Sequence, residues 1–349
     1  MPELLQKRTF GDVDLHDSFF DPLKADYQEF ESWFQGKAGE EAYIIYGESG
    51  TEGFMYLKTE DGAVTDVHPA LPSAPRIKIG TLKVDAHGTL LGERLIKKAL
   101  DHAIAEKATE LYLTIFPRHR SLINLLQEYG FVKTGTKTTS NGEEWVLVKS
   151  LTTVRGALRE DYPLIVYRGH GKFILSIYPK WHTKLFPDSI LDNETFDVLE
   201  DVSYTNSIQK TYVCFMDLSA LRSGDIIIIY CTSDKRGLAW YRSVVTSVCT
   251  VEEVRHKRTF ADSEEYIGYM EKFSVFNKDE LLGWWNRGND LYVLKMLYAA
   301  AFSKRLIRKD LVESIGLDTD AYWGFMPISD EQFRHILENG GIDERLIVD

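Results

Sequence analysis

The chain has 349 residues, 44% of them hydrophobic and 27% charged, and carries a net charge of −12 at pH 7. That length accommodates two cores of ordinary size, and the acidic balance argues against broad, nonspecific nucleic-acid binding while leaving room for a local basic face. No apolar run approaches the roughly 20 residues of a membrane-spanning helix, and the start MPELLQKRTF lacks a signal-peptide pattern, so a cytoplasmic protein is expected. In chain order, the short strand LLQKRTF precedes a polar, aromatic-studded segment from Asp17 to Trp33 that reads as helical. AYIIYGES and EGFMYLKTE, rich in tyrosine and β-branched residues and separated by turn formers, predict an antiparallel hairpin. RIKIGTLKV alternates as a half-buried strand and leads through a glycine turn into a helix. The apolar face of that helix carries Leu91, Leu95, Ala99, Leu100, Ala103 and Ile104. ELYLTIFP is the next strand and RHRSLINLLQEYG an amphipathic helix ended by Gly130. FVKTGTKTTSNGEEWVLVKSL is a hairpin turning at Asn141-Gly142.

The strand-to-helix turn is the first chemical signal. Gly88 and Gly92 bracket the helix start, where backbone N–H groups without intrahelical partners and the positive end of the helix dipole favour an anion. The order strand, glycine turn, helix, strand, helix ending in EYGF, and final hairpin NGEEWVLVK resembles the GNAT superfamily of acyl-CoA-dependent N-acyltransferases over roughly residues 1–150. The resemblance implies acetyl-CoA as acyl donor, its pyrophosphate on the turn's backbone, and a pantetheine arm admitted where the preceding strand splays from its neighbour. The matching cofactor-binding positions are Leu82, Val84, His87, Gly88, Thr89, Leu91, Gly92 and Glu93. Backbone near Leu82 and Val84 is expected to donate to the tetrahedral oxyanion. The general base is expected among Glu48, Glu52 and Asp85, with Glu48 placed first.

This sequence departs from the family pattern in three places. The turn reads His87, Gly88, Thr89, Leu90, Leu91, Gly92, so the family's leading Arg or Gln has become His and its first motif glycine has become Leu. His119 stands where an Asn is usual. Leu126 stands where the family's acid tyrosine is usual, which leaves Tyr129 as either a substitute acid or a structural tyrosine. Arg118, His119 and Arg120 at the second helix start oppose the helix dipole, so an anion, such as the 3′-phosphate of coenzyme A or a nucleic-acid backbone, or simply solvent, is expected to offset them.

A connector is expected over residues 151–169. Beyond it KFILSIYP, KTYVCFMDL, GDIIIIYCTS and LAWYRSVVTSVCTVEEV read as strands, and SEEYIGYMEKF, KDELLGWW, RKDLVESIG and SDEQFRHILENG as short helices. Cys214, Cys231 and Cys249 lie far apart and without histidines at ligand spacing, which argues against a zinc site or a disulfide framework; no metal is expected. SIYPKWHTKLFPDSIL, TNSIQKTYVCFM, LRSGDIIIIYCTSD and VRHKRTF resemble the PUA-like pseudobarrels, which include ASCH and EVE domains, over residues 170–349. The resemblance implies recognition of RNA, such as a tRNA, or of a nucleic-acid base, with Trp181, His182, Lys184, Asn206 and Lys210 at the cleft and Lys257 and Arg258 near a backbone. Trp181 reads equally as core.

The expected fold class is therefore α+β in two domains: a mixed sheet with helices, then a β pseudobarrel with added helices. Three functions compete. The first is an acyl-CoA-dependent N-acetyltransferase acting on an RNA-linked or nucleic-acid amine selected by the second domain. The second is a protein or small-molecule N-acetyltransferase. The third is a noncatalytic nucleic-acid-binding or regulatory protein with an eroded coenzyme A loop.

Overall fold

Alternating side chains in the first half build one mixed sheet, seen in the computed structural model, which describes residues 4–47, 50–85, 90–186, 207–233, 239–271 and 274–349. The elements are β1 (Leu4–Thr9), α1 (Asp21–Asp26), α2 (Phe30–Gln35), β2 (Glu41–Gly47), β3 (Gly50–Glu60), β4 (Arg76–Val84), α3 (Leu91–Ala105), β5 (Glu110–Ile115), α4 (Arg120–Glu128), β6 (Val132–Thr139) and β7 (Gly142–Ser150). Their strands run in the order β1-β2-β3-β4-β5-β7-β6. Within this sheet, among the described residues, only the β4–β5 pair is parallel, and α3 is the crossover that parallel pairing requires. Adjacent residues Ile44 and Ile45 of β2, and Phe54 and Met55 of β3, are all buried, so the sheet is covered on both faces.

Two covers share one of those faces. Over β2 and β3, α1 and α2 with the turns before them bring Phe10, Phe20, Phe30 and Phe34 onto Ile44, Phe54 and Tyr56. Phe10 meets four rings at once, those of Trp33, Phe34, Phe54 and Tyr56, at centroid distances of 4.7–5.8 Å. Over β5 and β7, residues 61–75 place Val64, Val67 and Leu71 on Tyr112 and Val146. That loop is tied down by the fully buried Arg76. Its guanidinium donates to the carbonyls of Gly62 and Pro72, each at 2.6 Å, and to Glu110 at 3.0 Å. The space between the two covers becomes the cavity described below.

The described residues from Gly156 onward form a second compact unit. It comprises α5 (Leu158–Asp161), β8 (Ile165–Val166), β9 (Lys172–Ile177), α6 (Pro179–Leu185), β10 (Gln209–Cys214), β11 (Ile226–Cys231), α7 (Ala239–Arg242) and β12 (Val244–His256). These are followed by α8 (Ser263–Glu271), α9 (Lys278–Arg287), β13 (Tyr292–Ala301), α10 (Arg308–Glu313), β14 (Phe325–Pro327), α11 (Asp330–Gly340) and β15 (Ile347–Val348). Six strands pair in the order β10-β13-β12-β11-β9-β14, and β15 pairs with β8. The apolar run Ile226–Ile229 is buried on both faces. Ile227 and Ile229 enter one core, and Ile226 and Ile228 the other.

Three features differ from the sequence reading. The expected connector is folded structure, with Tyr162, Ile165 and Tyr167 buried. LAWYR is not the start of a strand; Ala239–Arg242 is a helical turn, and the strand begins at Val244. YVLKMLYAAA, which carries no strand signal beyond its tyrosines and valine, is β13, which pairs with both β10 and β12.

Because Phe10 joins the α1–α2 cover to the sheet, Phe10→Ala should cost about 3–5 kcal/mol, the range for a buried ring replaced by a cavity. Urea denaturation of the full chain measures it, and a loss below 1 kcal/mol would show that the cover does not depend on that ring.

Candidate functional site

Strands β4 and β5 stay together for only three residue pairs, Arg76↔Glu110, Ile77↔Leu111 and Lys78↔Tyr112. Beyond Lys78 they part, while β4 keeps its pairing with β3 as far as Val84. The register between β3 and β4 shifts at Gly80, which is the extra residue of a bulge, since Leu57 pairs with Ile79 and Tyr56 with Thr81. The Asp85 N–H donates to the Glu52 carbonyl at 3.0 Å, which makes that pair a hydrogen-bonded one. Alternation then turns the N–H groups of Lys83 and Thr81 toward β3. Those of Leu82 and Val84 turn to the opposite edge, where β5 has departed.

A cavity of about 820 Å³ fills this fork and continues between the two covers. Its walls include Trp33, Tyr56, Lys78 to Asp85, Leu113 to Ile115, Arg118 to Leu122, and Glu144. Although the chain is acidic, seven Lys or Arg side chains line the cavity against five Asp or Glu. The first turn of α3 also reaches it at Gly92. Leu90, which precedes that helix, makes no side-chain cap, and the N–H of Arg94 donates to the Leu90 carbonyl at 2.9 Å.

The expected cofactor positions separate by environment. Leu82, Val84 and Gly92 line the cavity. The side chains of Leu91 and Glu93 are buried in the packing of α3, so only their backbone is oriented for a ligand at the helix end. His87, Gly88 and Thr89, and the expected base Glu48, lie outside the described residues. Gly92 has a second duty: a Cβ there would sit 2.6 Å from Leu125 Cδ2 of α4, so substitution disturbs helix packing as well as any approach to the turn.

Tyr129 is not a cleft residue. It is 1% exposed at the end of α4 and is not among the residues that line the cavity. The basic turn before α4 has its anion within the chain: Asp26, at the end of α1, accepts from Arg118 at 2.5 Å and meets His119 Nε2 at 2.9 Å. Asp85 lines the cavity but is paired with Lys83, and Glu52 does not reach it.

Two carboxylate–phenol pairs at the cavity escaped the sequence reading. Tyr112 donates to Glu60 at 2.5 Å, and Tyr27 donates to Glu144 at 2.6 Å. Burial and the adjacent carboxylate push both phenols above their ordinary range. Burial alone would raise the Glu60 carboxyl, but the Tyr112 hydroxyl and the Lys58 and Lys78 ammonium groups outweigh it and hold it low. A signal for this region existed, since Lys58 and Glu60 continue the face begun by buried Phe54 and Tyr56. Polar residues on a core-facing row mark a polar interior.

In the second unit the six expected recognition residues that are described do not form one face. Trp181 is half-buried, with its ring edge-on to Phe276 and Trp284 at 5.0 and 5.4 Å and the Lys180 and Lys184 ammonium groups 4.2 and 5.3 Å from its centroid. Lys184 and Arg258 are exposed. His182 is buried, its Nε2 2.7 Å from Thr246 Oγ1. Lys210 is buried in β10, and Lys257 donates to the carbonyls of Trp285 and Gly288 at 2.6 and 3.0 Å, holding a turn. Asn206 lies outside the described residues. Cys214 and Cys249 are buried, which pushes their thiols up, and the described residues contain no group of side chains able to hold a metal. No described helix is long and apolar enough to cross a membrane.

No protein-family model matches the chain, and no curated protein matches its sequence. Among solved structures it is similar to Ard1 from Thermoplasma volcanium, at 13% identity over 43% of this chain and 98% of that one, with a TM-score of 0.33. A GNAT family acetyltransferase from Elizabethkingia anophelis with acetyl-CoA bound is similar at 15% identity over 43% and 98%, with a TM-score of 0.31. ASCH from Zymomonas mobilis is similar at 8% identity over 48% and 94%, with a TM-score of 0.32. Likenesses at these values assign no activity to this chain.

His182 yields a prediction with a definite sign. Burial, with the Arg305 charge adding to it, lowers its imidazole to about 4 from the ordinary 6.5, so it is neutral at pH 7. The unfolded chain binds the proton first, so this contribution is intact above pH 6.5 and lost as pH falls from 6.5 toward 4, by about 3 kcal/mol in all. The His182 ring proton shifts in NMR should stay constant from pH 7.5 to 5.5. A midpoint near 6.5 would place the ring on the surface.

Proposed function

We propose that the first unit is an acyl-CoA-dependent N-acyltransferase with acetyl-CoA as donor. The observation that carries this reading is the fork: β4 remains anchored on β3 while β5 leaves it, and the N–H groups of Leu82 and Val84 face the cavity between them. An extended amide-bearing arm laid along that edge takes the place of the missing strand and pairs with it. The thioester at its end then lies within reach of a backbone N–H, which meets the oxyanion as the amine attacks. The pyrophosphate is assigned to the first-turn amides of α3, residues 91–93, together with the turn before them.

The protein's remaining tasks are positioning and proton transfer. The carbonyl carbon forms a bond to nitrogen, the C–S bond breaks, and the thiolate of coenzyme A leaves. The proton lost by the amine passes to a carboxylate at the cavity. Glu60 and Glu144, each already bonded to a tyrosine hydroxyl, are the groups placed for that transfer. Tyr129 has no part in it.

For the acceptor, selection of an RNA-linked amine by the second unit retains Trp181, Lys184 and Arg258, whereas His182 and Lys210 belong to the core. A protein or small-molecule amine requires none of these residues.

Acetyl-CoA at about 100 times its dissociation constant should stabilise the chain by about 2.7 kcal/mol, read as a rise in melting temperature. Leu82→Pro and Val84→Pro each delete one N–H from the open edge without touching the β3 ladder. One of them should lower release of free coenzyme A thiol about 10²–10³-fold in the presence of cell-extract amines, as loss of an oxyanion donor does. Absence of any melting shift rejects the reading, as does unchanged turnover in both variants. Labelled acetyl groups followed into RNA, protein and small-molecule fractions identify the acceptor.

A further inference from the structure

Five lysines line the cavity: Lys37, Lys58, Lys78, Lys83 and Lys137. Four have a carboxylate of their own. Lys37 pairs with Glu40 at 2.9 Å, Lys58 with Glu60 at 2.9 Å, Lys137 with Asp66 at 2.6 Å, and Lys83 with Asp85. Lys78 alone makes no ion pair among the described residues, and it is also half-buried. Among the described residues, the contact it makes is with the face of the Tyr112 ring, 5.5 Å from the ammonium. A contact at that distance offsets only part of the cost of drawing a cation out of water.

Its position is as informative as its isolation. Lys78 lies opposite Lys58 on β3 and Tyr112 on β5, so the three side chains stand in one row on the face that carries the two covers, with Lys58 and Lys78 lining the cavity and Tyr112 under the 61–75 loop. It is the last residue of β4 still paired to β5, at the apex of the fork. Glu60 and Asp66 lie near enough to favour its charge, but each is already bonded to another lysine. Burial first, and then the charges of Lys137 and Lys58, hold its ammonium below the usual lysine range. The local arrangement therefore carries one cation more than it has anions to meet.

We propose that Lys78 anchors an anionic group on the acceptor, a carboxylate or a phosphate, so that the amine acetylated at the fork belongs to a molecule that also bears an acid. The identification as an acceptor rests on the acyltransferase reading; the anion site itself does not. An anion entering this row supplies the counter-charge that Lys78 lacks and is reinforced by Lys58 and Lys137 on either side. It would be held at the apex, with the amine of the same molecule free to face a thioester lying along the open edge of β4.

The test is calorimetric titration of the full chain with inorganic phosphate and, separately, with malonate, each with and without saturating coenzyme A. Coenzyme A fills its own anion-binding positions and carries no acyl group to transfer. At least one of the two probes should bind with coenzyme A present, and the tighter one identifies the acid. Lys78→Met should weaken that binding at least tenfold. Lys78→Arg, which keeps the charge, should retain it within about threefold, and Lys304→Met, exposed in the second unit, should not change it. Binding that disappears when coenzyme A is added, that is unaltered in Lys78→Met, or that is absent for both probes overturns the proposal. Failure of coenzyme A to bind would instead remove the acyltransferase reading, and the titrations without it would still decide whether Lys78 holds an anion.

Discussion

Everything in the first unit that bears on chemistry follows from a strand that is paired along one edge and open along the other. β4 cannot follow β5 when the two part, because eight register pairs bind it to β3. Nor can it remain flat, because the extra residue at Gly80 adds twist where the parting begins. The result is a sheet interior with free backbone donors and acceptors, which a folded protein otherwise avoids. Placing the α1–α2 cover on one side of the opening and the 61–75 loop on the other makes the opening a cavity with polar walls.

The electrostatics are local in the same sense. The basic turn before α4 could have been waiting for a ligand, yet Asp26 satisfies it from within, and most lysines of the cavity are likewise answered by a neighbour. Counting charges along the sequence does not distinguish these cases. Which cation has a partner depends on register across strands and on where loop 61–75 and β6 bring Asp66 and Lys137 together, contacts 71 positions apart.

The element order of the first half was legible because each segment's apolar period is strong and its turns carry glycine or Asn-Gly. The open edge at Leu82 and Val84 was legible only through family resemblance, and hydrogen-bond alternation now gives it a physical basis. What failed in the second half failed for definite reasons. Seven of the ten residues of β13 are Leu, Lys, Met or Ala, which favour helices in isolation, and pairing with strands on both sides makes it extended. Lys210 and His182 were assigned to a recognition cleft through the resemblance of their segments to PUA-like domains. Both, however, are buried. Glu60, Lys78 and Tyr112 were missed because no local motif unites them; three separate strands do.

The open edge of β4 has a consequence beyond binding. A row of unpaired N–H and C=O groups in the middle of a sheet is as ready to pair with a strand from another chain as with a ligand. The features flanking the edge are those that discourage such pairing: the bulge at Gly80 twists it, and Lys83 and Asp85 put opposite charges beside it. Occupancy of the fork thus links to colloidal behaviour, since whatever lies along β4 also shields the stretch of backbone most open to intermolecular strand addition.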